Sequence, residues 1–275
     1  MKKDAYIGKC AAVGAAVLLL THSLGGCRVI FVDPAGATET TASETLPATY
    51  TYRIDIGKYR DALFTTDPAY RVLVNKTYTV DAGYAPMRLS TLDASLTLSG
   101  KEVRLESTVA LAAEALLREL WSYGWTDILV TSGYRTYSYQ SSLFNQYIAN
   151  ERAAHPDWTY EQAVTQVLTY SARPGTSEHQ TGLCMDLIVG GANPVLDESF
   201  ADHACYRWLV ENAHKFGFIL RFPKGKETVT GYSYEPWHYR FVGVEAATEI
   251  YRRGITLEQY LEKYGSLSIV GVEKI

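Results

Sequence analysis

The sequence predicts an α+β domain, a small and mainly antiparallel sheet flanked by helices. Three observations lead there. Helical patterns concentrate early in the domain, at residues 106–123, 136–151 and 158–170. The apolar runs "LCMDLIV", "FGFILRF" and "HYRFVG" follow them. These runs are joined by one helical segment and irregular loops, not by the regular strand–helix alternation of a doubly wound parallel sheet.

The elements follow in order. Lys2 and Lys3 precede an apolar run at residues 10–20, the length of a signal-peptide core. That run is short for a membrane span, which needs about 20 residues. Leu24-Gly25-Gly26-Cys27 resembles a bacterial lipobox, in which Cys27 would be lipidated after cleavage before it. The alternatives are an uncleaved anchor over residues 10–32, interrupted by His22 and Arg28, and plain secretion. Each reading of this leader, residues 1–32, places the domain outside the cytoplasmic membrane, touching it through the N-terminus only. Residues 33–49 are rich in Thr, Ala, Pro and Glu and read as a flexible tether. The globular domain is expected over residues 50–275.

Residues 50–98 read as short extended pieces separated by turns, "RVLVNKTYTV" among them. At 106–123, Val109, Ala112, Ala113, Leu116, Leu117 and Leu120 share one helical face, and Gly124 ends it. "DILVTSGYR" is a strand running into a loop, followed by the helices at 136–151 and 158–170. A loop, "SARPGTSEHQTG", leads into a strand at 183–189. A fourth helix is expected at 200–216, then strands in "FGFILRF" and "HYRFVG". The helix "TLEQYLEKYG" closes the chain, with Thr256 and Gln259 as a capping box.

Composition narrows the function. The 275 residues are 47% hydrophobic and 20% charged, which fits one domain with extras. Net charge is −4 and no basic stripe is present, which argues against a nucleic-acid partner. The 21 tyrosines read as a Tyr-rich fold. Cys184 and Cys205 are the two domain cysteines; outside the cytoplasm they could form a disulfide, and otherwise they are small buried thiols.

The chemistry starts at Asp186, a carboxylate inside the apolar run "LCMDLIV". On a strand it shares a face with Cys184 and Ile188. An unpaired buried carboxylate costs several kcal/mol, so Asp186 needs a cationic partner. Two readings fit: an Asp bonded to backbone amides or an Arg, and a metal ligand with His179 as the second. Downstream, Glu235 and His238 lie three apart around Pro236. Two imidazoles and a carboxylate, His179, His238 and Asp186, are a common zinc set with a fourth position for water. Glu235 is then the natural general base, taking a proton from that water and passing it to the leaving amine. No HExxH, CxxC pair or phosphate loop is present, and no G-x-S-x-G accompanies a serine nucleophile.

Three stretches in this order, "SGYRTYSYQ", "SEHQTGLCMD" and "EPWHYRFVG", resemble the D-alanyl-D-alanine carboxypeptidase family of the VanY type, zinc peptidases of the bacterial cell wall. Ser177, His179, Gly182 and Asp186 match its S-x-H-x-x-G-x-x-x-D pattern, and Glu235, Trp237 and His238 match E-x-W-H. The resemblance runs from Val72 through Gly243. One departure is Cys184, where a small residue such as Ala is more usual. The resemblance implies a Hedgehog-like zinc carboxypeptidase fold and Zn²⁺ as cofactor. It implies a peptidoglycan stem peptide as partner, cut to release C-terminal D-alanine with D,D- or L,D-specificity. It gives Arg135 the substrate's terminal carboxylate or the developing oxyanion, and gives Gln140, Ser177 and Trp237 contacts to the substrate. A D-Ala-D-Ala dipeptidase, an endopeptidase and an inactive zinc-bearing wall-binding module are the alternatives. The intact Glu235 argues against the last, since a binder has no need of a base.

Overall fold

The computed structural model describes residues 50–265 and 272–274. The expected leader, lipidation site and tether lie outside the described residues. The chain enters through α1 (Arg60–Leu63), β1 (Tyr78–Val80), β2 (Leu89–Thr91) and β3 (Arg104–Glu106). It continues with α2 (Ser107–Ser122), β4 (Ile128–Ser132), α3 (Tyr137–Ala154), α4 (Tyr160–Val167) and β5 (Cys184–Val189). It ends with α5 (Ala204–Asn212), β6 (Phe218–Leu220), α6 (Glu227–Thr230), β7 (His238–Phe241), α7 (Val244–Arg253), α8 (Leu257–Tyr264) and β8 (Val272–Lys274).

The central sheet has four strands in the order β4-β5-β7-β6, every pair antiparallel. Two smaller ladders, β2 with β3 and β1 with β8, complete the strands. This is the predicted α+β class with a small antiparallel sheet.

Helix α2 forms because its apolar positions recur at helical spacing and its start is capped. The Glu106 carboxylate accepts from the backbone N–H of Thr108 and Val109. Its face, Val109, Ala112, Ala113, Leu116, Leu117 and Leu120, is completely buried in the main core with Ile128, Met185, Leu187, Phe218 and Phe241. Truncating one of these leucines to Ala would cost about 2–5 kcal/mol. A second cluster packs α7 and α8 around Ile219, Val242 and Leu257, and a third joins α3 to α4 through Phe144, Ile148 and Val164.

Three points differ from the sequence reading. The helix expected at 200–216 is split. A 3-10 turn at Glu198–Asp202 ends at His203, whose Nδ1 accepts from the Cys205 N–H and starts α5 afresh. After Asn212 the chain tightens into a second 3-10 turn, Ala213–Phe216, which Gly217 stops at φ 81°. Helix α7 went unpredicted: its short apolar set of Ala246, Ala247 and Ile250 follows directly on a strand. The possible disulfide is also absent, as Cys184 and Cys205 are both free thiols.

Candidate metal centre

Alternation along β5 and β7 divides the sheet into two faces. Met185, Leu187, Tyr239 and Phe241 point into the main core. Cys184, Asp186, His238 and Arg240, on the alternate positions, share the other face. Asp186 stands directly opposite His238 in the β5–β7 register. His238 Nδ1 lies 2.9 Å from Asp186 Oδ1.

His179 arrives from a 3-10 turn, Glu178–Thr181, that Gly182 closes in the left-handed region at φ 68°. Its Nδ1 is 2.7 Å from the Gly133 carbonyl. A carbonyl only accepts, so Nδ1 carries a proton, and in the neutral ring Nε2 keeps its lone pair. Only glycine fits at 133, because a Cβ there would come within 2.5 Å of the Arg104 carbonyl oxygen. His179 Nε2 lies 3.1 Å from Asp186 Oδ2.

On the side of the His238 ring away from Asp186, His238 Nε2 and Glu178 Oε2 are buried with no hydrogen-bond partner, 3.5 Å apart. A proton on Nε2 aims at that carboxylate and leaves the His238 Nδ1 lone pair facing Asp186. With both rings neutral, two imidazole lone pairs and a carboxylate therefore converge, acceptor against acceptor. Such a set needs a cation within it. In this structure the Arg135 guanidinium serves, its Nη2 donating to Asp186 Oδ2 at 3.0 Å and lying 3.1 Å from His179 Nε2. Two nitrogens and an oxygen with a carboxylate behind one imidazole also fit a divalent zinc ion.

The electrostatics favour a positive charge at the same place, here as a proton on the imidazoles. Burial opposes charge on Asp186, yet His179 and His238 hold its carboxyl well below the usual range. Burial and Arg135 oppose protonation of His179, but Asp186 and Cys184 outweigh them and raise it to about 9. The cluster draws in positive charge. Glu235 behaves oppositely: burial, helped by the Asp186 charge, pushes it up to about 7. Its Oε2 sits 3.8 Å from His238 Nδ1.

All eight residues singled out in the sequence, Arg135, Gln140, Ser177, His179, Asp186, Glu235, Trp237 and His238, line one cleft of about 280 Å³. Gln140 acts within the wall: its Oε1 accepts from Arg135 Nη1 at 3.2 Å and its Nε2 donates to the Ala172 carbonyl at 2.8 Å. Ser177 and Trp237 border the same space without a side-chain hydrogen bond to this set.

The sequence reading missed three features. Tyr147, Tyr170 and Tyr232 also line the cleft, so part of the tyrosine excess lies at the site. Glu178 is the carboxylate behind His238, clamped at Oε1 by Arg221 Nε at 2.8 Å and Arg240 Nη1 at 2.6 Å. An arginine inside each of the apolar runs "FGFILRF" and "HYRFVG" was the available signal for that clamp. Third, Cys184 joins the donors: one donor atom from each of His179, Cys184 and His238 lies within 4.8 Å of the others.

Comparison with known proteins places this geometry in context. Residues 102–244 match the sequence model of the VanY family, described as D-alanyl-D-alanine carboxypeptidase. A D-alanyl-D-alanine carboxypeptidase of Enterococcus faecalis is 46% identical over 133 residues, covering 48% of this chain and 47% of that protein. The chain thus spans about half the length of that relative. The putative carboxypeptidase YodJ of Bacillus subtilis is 33% identical over 96% of this chain and 98% of its own. Among solved structures, the LdcB LD-carboxypeptidase is 35% identical with a TM-score of 0.61, over 73% of this chain and 89% of that one. A VanY D,D-pentapeptidase solved in complex with Zn(II) is 37% identical with a TM-score of 0.58, over 70% of this chain and 99% of that one.

Proposed function

The chain belongs to the VanY family of D-alanyl-D-alanine carboxypeptidases, and from that premise we propose that it is a zinc carboxypeptidase removing C-terminal D-alanine from peptidoglycan stem peptides. The observation that carries the proposal is the convergence of His179 Nε2, the Asp186 carboxylate and His238 Nδ1 at a cleft that Glu235 also faces. His179, Asp186 and His238 would hold the ion. When bound, the zinc would supply Lewis-acid polarisation of the scissile carbonyl and of the attacking water.

The residues of the chain do the rest. Glu235, a carboxyl pushed to about 7, is suited to accept a proton from water and return it to the departing D-alanine amine near neutral pH. Arg135 presents a guanidinium fork at the cleft, suited to the terminal carboxylate of the substrate. Gln140 fixes that fork from behind. Ser177 and Trp237 border the bound peptide.

Stem pentapeptides and tetrapeptides with free C-termini test this reading. Loss of one alanine mass, abolished by chelation and restored by zinc, is the expected result. With free D-Ala-D-Ala as a second substrate, its cleavage to two D-alanines while the stem peptides stay intact would replace the carboxypeptidase reading with the dipeptidase one.

The same proposal sets the domain, residues 50–275, outside the cytoplasmic membrane, tethered through residues 33–49 and a lipid on Cys27. It is supported by "LGGC" after a short apolar run. Cys27→Ala should abolish lipid labelling in a host with the lipoprotein pathway; labelling unchanged in that variant would reject lipidation.

A further inference from the structure

The donors at the site do not end with two imidazoles and Asp186. Cys184 lies two residues before Asp186 on β5, so strand geometry turns both side chains to one face. The thiol is fully buried and unbridged. One donor atom each from His179, Cys184 and His238 lies within 4.8 Å of the others. The other two donors come from separate segments, His179 from the turn Glu178–Thr181 and His238 from β7, and both imidazoles are buried. A tetrahedral ion with donors at about 2.0–2.3 Å holds them roughly 3.3–3.8 Å apart. Side-chain movement on the order of 1 Å would bring these three donors to that spacing.

We propose that Cys184 is a sulfur donor to this centre, and that His179, His238 and the Cys184 thiolate form a second, softer ligand set that takes a thiophilic divalent cation such as cadmium. The proposal rests on the reading of the site as a zinc centre. A thiolate prefers soft ions where a carboxylate prefers hard ones, so sulfur in place of Asp186 shifts the metal preference. The step is an exchange without oxidation: the divalent ion binds sulfur, the S–H bond breaks, and its proton leaves to solvent. The two ligand sets share both imidazoles, so one ion excludes the other. A centre that engages Cys184 together with His179, Asp186 and His238 has four protein donors and no position left for water. Cadmium is therefore a competitor for zinc that the cysteine itself strengthens. An alanine at 184, the residue more usual in the family pattern, has no such donor.

The test uses the full chain, stripped of metal and titrated separately with cadmium and zinc, as parent, Cys184→Ala and Cys184→Ser. The expected result is a thiolate-to-cadmium charge-transfer absorption in the parent that saturates at one equivalent and is missing from both variants. Cadmium binding should also release one more proton in the parent than in Cys184→Ala. Cadmium affinity should fall at least tenfold in Cys184→Ala, roughly the scale of losing one metal-supporting group, with zinc affinity falling less. No such absorption in the parent, or the same absorption in Cys184→Ala, overturns the proposal. Zinc uptake and D-alanine release by the parent report on the underlying reading. A parent that takes up no zinc defeats that reading, whereas a zinc-active parent without the cadmium absorption defeats only the role of Cys184.

Discussion

Two clusters of buried charge lie side by side in this domain, and they end differently. In the first, Glu178 meets Arg221 and Arg240, and Arg221 also grips Glu258 with bonds of 2.6 and 3.0 Å. Both arginines are completely buried, and Arg240 spends its remaining donors on the carbonyls of Tyr70, Val72 and Phe241. Two cations face two anions, and the cluster closes on itself. In the second, Asp186 faces two imidazoles that accept when neutral, and the fixed cation beside it is Arg135 at the edge of an open cleft. Buried charge alone therefore does not mark a functional site. Incomplete pairing beside a cleft does, because that charge is completed by something the chain does not carry. Glu178 belongs to both clusters, with Oε1 inside the closed one and Oε2 3.5 Å from His238 Nε2.

If the comparison holds, damage to the open cluster should remove chemistry and damage to the closed one should remove stability. Glu235→Gln should lower kcat by roughly 10²–10⁴, the worth of a general base, while zinc content and melting temperature stay at parental values. Full turnover in a zinc-loaded Gln variant would end that role. Arg221→Met should destabilise the fold by about 3–5 kcal/mol, since it strands buried carboxylates. Chemical denaturation measures the loss, and the folded fraction should still take up one zinc.

Glu178→Gln probes the shared residue. It should weaken zinc binding roughly 10–100-fold, as loss of a carboxylate behind a ligating histidine does. A competition assay with a chelating dye gives the number, and melting of the metal-free variant separates it from instability. Arg135→Lys should cost about tenfold in kcat/KM, within the worth of hydrogen bonds to a charged group. That loss should shrink on a substrate amidated at its C-terminus, which lacks the pairing charge. An equal loss on both substrates, confined to kcat, would move Arg135 to the oxyanion.

The smallest effect is in pH. Burial raises the folded-state pKa of Glu235 to about 7, from an ordinary value of 4.5. Between those values the folded chain holds a proton that the unfolded chain has released, so this group's contribution to stability falls as pH rises. Chelated parent protein should thus lose stability from pH 5 to about 7 relative to chelated Glu235→Gln. Parallel curves for the two would show that Glu235 ionises freely.

Much of this was legible in the sequence. The buried face of α2 and the carboxylate on β5 are local patterns that periodicity exposes directly; His179, Glu235 and His238 stood out by their ligand and base chemistry, and Arg135, Gln140, Ser177 and Trp237 by the resemblance to the family. The closed cluster was not legible. Arg221 and Arg240 each read as a polar interruption of an apolar run, and their partner Glu178 lies 43 and 62 positions away. The break of the expected helix at His203 was equally hidden, because it depends on a side chain capping its neighbour's backbone.

By itself, the sequence determined which side chains face the core, which strand carries a carboxylate and which donor types exist. Only the tertiary structure decided which donors meet. Register across β5 and β7 set Asp186 against His238, and the close approach at Gly133 fixed the tautomer of His179. The same folding carried Cys184 from a departure within a motif to a place among the donors. The physical reason is range: alternation and helical period act over a few residues, whereas pairing of buried charge acts between segments far apart in the chain and is satisfied only once they pack.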